Sequence, residues 1–222
     1  MSNPPPAVVL HIWTIAPRHI PRGLALLARQ RRDVRALPFG KLLGTGSGET
    51  FAVRDADLTR YALITSWPQA HAPAIFERGP IVGAWQRIAE GRRRIELVPV
   101  RSRGTWSGRA PFGVPDDSGG PGPVAVLTHA RIRASHLRAF WRATPAVATD
   151  LAARPGNSFR LAFGEAPLGV QGTFSIWDDI TAMTAFARDS IHRDVVRRRI
   201  DERWYAEEIF ARFRVVSDES WT

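Results

Sequence analysis

The feature that most narrows the fold of this chain is an internal repeat at a spacing of 110 residues. Leu63 to Trp67 (LITSW) falls on Thr173 to Trp177 (TFSIW). Beyond the tryptophans, Ala72 meets Ala182, Phe76 meets Phe186 and Arg78 meets Arg188. A 222-residue chain that repeats at half its length reads as two like units rather than one long topology.

The pattern of elements supports that division. In the first half the residues predict a strand at Ala7–Ile15 and a helix over Pro17–Leu37, where Ile20, Leu24, Leu27 and Val34 recur near helical spacing. Strands follow at Gly40–Leu43 and Tyr61–Ser66, joined by a glycine-rich loop (Gly44 to Gly48). Helical segments come next over Ala70–Ala89, interrupted near Gly79 and Pro80, and then a strand at Ile95–Val100. The second half predicts a strand at Val124–Ile132, a helix from Ser135 to Ala143, and strands at Asn157–Phe163 and Val170–Ile176. A helix over Asp179–Trp204, broken near Asp189 and Ser190, leads to a last strand at Ile209–Val216. Each half is βαββαβ. The expectation is an α+β protein: tandem ferredoxin-like units, residues 1–100 and 124–222, joined by a Gly/Pro-rich connector at 101–123 and closed into a barrel of the dimeric α/β type.

Composition removes several chemistries. With no cysteine, the chain has no disulfide, no thiolate-bound zinc, no iron–sulfur cluster and no thiolate-ligated haem. Any metal or haem must use another ligand, and six histidines (His11, His19, His71, His129, His136, His192) and two tyrosines (Tyr61, Tyr205) are the candidate suppliers of an axial bond. The formal charge is +10, but Lys41 is the only lysine, a bias that reads as arginine-rich codon usage rather than a nucleic-acid footprint. Clusters at Arg29–Arg32, Arg92–Arg94 and Arg197–Arg199 read as solvated faces, with peripheral contact to an anionic membrane as the other use of such patches. The chain carries no run of 18 or more apolar residues, and its N-terminus lacks a signal-peptide pattern, so a cytoplasmic protein is expected.

Candidate chemistry is sparse. Gly44 to Gly48 (GTGSG) has phosphate-loop glycines but no Gly-Lys-Ser/Thr ending. Arg103 to Phe112 (RGTWSGRAPF) sets two aromatics among turn formers, and aromatics on a linker are expected to fold back onto the body as a clasp or a lid. His192, Val196, Ile200 and Trp204 recur every four residues, which places the His192 imidazole on the inward stripe of its helix as a core histidine or a metal ligand. Along Val170–Ile176, Gln171, Thr173 and Ser175 share one face and Phe174 and Ile176 the other. If the aromatic face packs the helices, Gln171 and Thr173 look into the barrel. No Ser-His-acid order or zinc helix motif appears.

Four segments carry a resemblance to a known family: Lys41 to Gly48 (KLLGTGSG), Arg103 to Gly108 with Pro111 and Phe112, Gln171 to Trp177 (QGTFSIW) with Ala185 to Ala187, and Trp204 to Phe213. In these, in order along most of the chain, it resembles the spheroidene monooxygenase family, the acyclic carotenoid 2-ketolases. The N-terminal strand and the arginine-rich helix after Pro17 do not follow that pattern closely. The resemblance implies a duplicated α/β barrel holding haem b and its iron, an apolar substrate oxygenated with dioxygen, and an external electron donor. It implies His192 as the iron ligand, with Val196 beside the cofactor. Gln171 and Thr173 would be catalytic on the distal side with Trp106 and Arg109, the arginine pairing a haem propionate. Other haem reactions, dehydration or peroxidase-like turnover, and a non-catalytic haem- or ligand-binding role stay open, as does a homo-oligomer. The repeat fails at informative places: Val82 stands opposite His192, and Tyr61 and Leu63 stand opposite Gln171 and Thr173. The site is therefore expected in the C-terminal half.

Overall fold

A computed structural model describes residues 6–49, 55–113, 120–165, 169–188 and 190–222, with the side chains of 190–194 and 196 outside the described set. The first half runs β1 (Ala7–Ile15), α1 (Ile20–Arg35), β2 (Phe39–Gly46), β3 (Ala56–Trp67), α2 (Ala72–Glu77), α3 (Pro80–Gln86) and β4 (Ala89–Gly104). The second runs β5 (Val124–Ile132), α4 (Leu137–Ala153), β6 (Asn157–Gly164), β7 (Val170–Trp177), α5 (Ile180–Arg188), α6 (Ser190–Asp201) and β8 (Tyr205–Trp221). A short 3-10 turn precedes α1 and another precedes α4.

The eight strands close into one antiparallel barrel in the order β1-β3-β2-β6-β7-β5-β8-β4. Within each half the order is the same, β4-β1-β3-β2 and β8-β5-β7-β6. The halves meet at two seams. The β4–β8 ladder runs from Arg92 to Gly104, whereas β2 and β6 pair only from Gly44 to Gly46.

Closure buries the inner face of the strands, and the helices cover much of the outer face of β1, β3 and β7. The inner faces meet in one apolar core that includes Leu10, Leu43, Ile64, Leu127, Phe174 and Phe213. The outer faces carry the helices, which is why β1 (AVVLHIWTI) is buried at almost every position instead of alternating. Side chains must fill the inside of an eight-stranded barrel, and here the strands do not supply them all. Trp106 and Phe112, both fully buried, enter from the connector between the halves, where they pack against Phe39 and, for Phe112, Phe213. Leaving β4 in this direction takes Gly104 at φ +87°, where an added Cβ would collide with the Glu208 carbonyl.

Several elements differ from the sequence expectation. β2 continues through Gly44 to Gly46, so the first part of the glycine run is a strand at the seam with β6 and not a loop. The two strands expected at Ile95–Val100 and Ile209–Val216 extend to Ala89–Gly104 and Tyr205–Trp221, because each is the other's partner across the long seam. α4 passes the expected stop at Ala143 and runs through Pro145 to Ala153. Among the described residues no helix is long and apolar enough to cross a membrane.

If the connector aromatics fill the barrel, Phe112→Ala will lower the unfolding free energy by about 3–5 kcal/mol, the usual cost of emptying a fully buried phenylalanine site. Urea denaturation followed by tryptophan fluorescence measures it, and a loss below about 1 kcal/mol would show that the barrel is filled without this segment.

Candidate functional site

Two polar constellations lie on opposite faces of the C-terminal sheet. The first is inside the barrel. By strand parity with Phe39 and Leu43, Lys41 points inward, and so does His129 by parity with Ala125 and Leu127. The Trp106 indole stacks on the His129 ring, with centroids 4.2 Å apart, and its Nε1 donates to Glu165 Oε1. Lys41 Nζ donates to Glu165 Oε2 at 2.8 Å and to Ser107 Oγ at 2.6 Å. His129 Nε2 lies 3.3 Å from Glu165 Oε1, close enough for an ion pair but without hydrogen-bond geometry. Burial alone would raise the Glu165 pKa, but the contacts from His129, Lys41 and Trp106 overcome that and lower it to about 2.

Around this cage the connector is tied at each turn. Glu207 accepts from the Gly108 amide at 2.7 Å and the Thr105 hydroxyl at 3.0 Å, and Arg109 donates to the Pro38 carbonyl at 2.9 Å. Ser66 donates to the Pro111 carbonyl at 2.6 Å. Ser107 takes φ 55°, a left-handed conformation that such ties can hold in a residue with a side chain. The segment Arg103–Phe112 is therefore tied over the barrel, with the Trp106 and Phe112 rings as its plug.

The second constellation faces the helices. Phe174 and Ile176 belong to the barrel core, so Gln171, Thr173 and Ser175 lie on the outer face of β7. This reverses the expected orientation, because the closed barrel claims the aromatic face. It also separates residues that the sequence reading grouped together: Trp106 lies within the barrel, while Gln171 and Thr173 lie across the sheet from it. Arg109 holds the connector rather than meeting them. His192 and Val196 stand in α6, their side chains outside the described residues.

Superposing the halves by strand register shows how their outer faces differ. Ala7 pairs with Trp67 as Val124 pairs with Trp177, so β1 and β5 correspond at a spacing of 117 and β3 and β7 at 110. In the first half, Trp13, Tyr61, Leu63 and Trp85 fill the space between sheet and helices; the Trp13 and Trp85 rings stack at 5.4 Å, and Trp85 Nε1 donates to Gln30 at 2.9 Å. The corresponding residues of the second half are Ala130, Gln171, Thr173 and Val195, all smaller or more polar. Helix approach changes too. Gly23 in α1 lets the helix touch the sheet, since a Cβ there would sit 2.8 Å from Ile15 and 2.9 Å from Tyr61. Its counterpart in α4 is Phe140. Accordingly α1 buries Gly23, Gln30 and Val34, whereas α4 buries none of its residues. At these positions the second half carries smaller or more polar side chains, and its packed cluster is Trp177, Met183 and Phe186, with Val147 and Leu151 of α4 against it.

Of the remaining histidines, His71 is exposed and the others have contacts elsewhere. His11 is buried against Trp13 and close to Glu77, His19 contacts the Ile88 carbonyl, and His136 contacts Ser135. No group of three His, Asp or Glu side chains among the described residues is arranged to hold a bare metal ion. Of the arginine clusters, Arg93 pairs with Asp218, Arg94 with Glu77, Arg198 with Glu202 and Arg199 with Glu208, as solvated or half-buried faces do.

At the level of fold, the chain is similar to an aldoxime dehydratase in complex with butyraldoxime. That structure is 8% identical, with 97% of this chain and 81% of that chain covered and a TM-score of 0.60. A second aldoxime dehydratase structure is 11% identical, covers 95% and 82%, and has a TM-score of 0.56. These likenesses place the protein in the class of α+β barrels with helices packed on the outside. No family model matches the sequence. The chain is 34% identical over 204 residues to spheroidene monooxygenase of Rhodobacter capsulatus, across 89% of this chain and 84% of that one. Identity to the Rubrivivax gelatinosus protein of the same name is 32% over 82% and 70%. For the Cereibacter sphaeroides protein it is 29%, over 80% of this chain and 56% of that one. The chain belongs to the spheroidene monooxygenase family and is an oxidoreductase of the monooxygenase type.

The inner cage makes a pH prediction. A carboxylate with a folded pKa of about 2 against an unfolded value near 4.5 contributes stability that is complete above pH 4.5 and is lost as pH falls toward 2, on the order of 3 kcal/mol. Glu165→Gln leaves Lys41 buried without its anion, so at pH 7 it will destabilise by about 3 kcal/mol. The gap from wild type will shrink between pH 4.5 and 2, as chemical denaturation at stepped pH will read. A gap that stays constant with pH would place the effect elsewhere.

Proposed function

We propose that the protein is a haem-dependent monooxygenase that oxygenates an apolar small molecule of the carotenoid class, and that haem b occupies the slot between the outer face of β5 and β7 and helices α4 to α6. One observation carries this reading. At corresponding positions, side chains that fill the first half are cut back in the second, Trp13 to Ala130, Tyr61 to Gln171 and Trp85 to Val195, while Phe140 replaces the close-approach glycine of α1. A flat, largely apolar group with a polar edge suits a slot lined by half-buried Phe140, Trp141 and Thr144 above a sheet face of Ala130, Thr173 and Gln171.

His192 is the proposed ligand. It stands where the first half has Val82, a fully buried residue on the sheet-facing side of α3. With no cysteine in the chain, a nitrogen ligand is the consistent choice. Bound haem would activate dioxygen with electrons from an external donor, so that one oxygen atom enters a C–H bond of the substrate and the other leaves as water. The chain's own residues would hold the group edge-in, keep water out with the α4 aromatics and present polar side chains from β7. We also read the two halves as tandem ferredoxin-like units, the strand order repeated within each half supporting it. Trp106 and Arg109 have no part in this site; they serve the barrel interior.

Two variants test the proposal. Purified protein supplied with haem should show a strong Soret band that His192→Ala weakens or displaces. Ala130→Trp, which copies the first half, should abolish uptake while leaving the circular dichroism of the fold unchanged. Normal haem binding by Ala130→Trp would overturn the slot. Oxygen consumption with a polyene substrate and a reductant separates monooxygenation from dehydration, peroxidase-like turnover and simple carriage.

A further inference from the structure

At the centre of the slot floor, Thr128 of β5 and Thr173 of β7 are directly paired across the sheet, their hydroxyl oxygens 2.7 Å apart. In the first half the same pair of positions is His11 and Leu63, so no hydroxyl pair exists there. Two hydroxyls carry two protons, and one hydrogen bond between them uses one. The second proton has to leave the pair. The backbone offers it little, because β5 is paired on both edges, with β7 and β8, and β7 likewise with β5 and β6, which engages their carbonyls in the ladders. Among the described residues neither hydroxyl has another partner. On this face Ser175 accepts from the Trp177 indole at 3.0 Å.

We propose that Thr128 is a positioning residue for the monooxygenase site: its hydroxyl donates to Thr173, which fixes the Thr173 rotor and directs the Thr173 proton into the slot as a hydrogen-bond donor to the oxygen substrate. The inference rests on the slot being the haem site. Thr128 itself touches nothing that reacts. It determines which way a rotatable donor points, and a donor oriented in advance costs no reorganisation when charge develops on the group it faces. Neither sequence motif nor strand parity alone isolates Thr128; the strand register and the 2.7 Å contact do.

The test uses the haem-loaded, reduced protein with carbon monoxide as probe, reading the C–O stretching band rather than turnover. Thr173→Val, which is nearly isosteric, should shift the band to higher frequency because a donor to the diatomic is lost. Thr128→Val should shift it in the same direction, and the double variant no further than Thr173→Val, since the two act as a unit. Thr128→Ser, which restores the hydroxyl, should return the wild-type band, and all variants should keep the wild-type Soret intensity. An unchanged band in Thr128→Val with intact haem binding overturns the role of Thr128, as does a double variant whose shift is the sum of two independent ones. If wild-type protein takes up no haem at all, the proposed function falls and this inference with it, an outcome plainly distinct from the other two.

Discussion

The inside of the barrel has to be filled, and everything else in this fold follows from how that is done. Eight strands present apolar inner faces, but the remaining volume is taken by Trp106 and Phe112, delivered by the segment that joins the two halves. The segment itself runs over the barrel end with only these two rings buried, and its polar groups tie it down there. Glu165 takes the Trp106 indole and the Lys41 ammonium, Glu207 takes the turn amide, and Arg109 reaches the Pro38 carbonyl. A lysine and a histidine buried within a barrel would be costly alone; around one ionised carboxylate they become the anchor of the plug.

With the interior occupied, the place left for chemistry is outside the sheet, and there the two halves diverge. The first half spends its outer face on packing: three tryptophan and tyrosine rings, and a helix brought close by Gly23. The second half keeps the strands and helices in the same order but replaces those rings with Ala130, Gln171 and Val195 and Leu63 with Thr173, and α4 has Phe140 where α1 has Gly23. Packing density in one half offsets its loss in the other, so the open layer need not be stable by itself.

Much of this was legible in the sequence, for identifiable reasons. The repeat around Trp67 and Trp177 gave the element order, since both tryptophans end equivalent strands, and the mismatch of Tyr61 and Leu63 with Gln171 and Thr173 marks where the two outer faces differ. Parity misled on which way those residues face. Strands buried on both sides do not declare an inside, and only closure of the barrel assigns Phe174 to the interior. Trp106 and Arg109 read as companions of Gln171 because they are a polar and aromatic cluster between the halves, yet a sheet separates them. The Lys41–Glu165–His129 cage joins residues from β2, β5 and the end of β6, a grouping that no local spacing encodes. Thr128 could have been found only by registering β1 on β5, whose spacing of 117 differs from the 110 seen elsewhere.

The unequal seams give the cylinder a mechanical polarity. Along β4 and β8 the halves are welded by a ladder running from Arg92 to Gly104, while β2 and β6 touch only from Gly44 to Gly46, and beyond that point Lys41 and Glu165 bridge the gap with side chains instead of backbone. A cylinder built this way flexes like a book: the long seam is its spine and the short one its fore-edge, with the Lys41–Glu165 ion pair as a clasp. Thermal opening should therefore start at the β2–β6 edge, on the far side from the β4–β8 ladder, so breathing of the barrel exposes the Trp106 plug before it disturbs the spine.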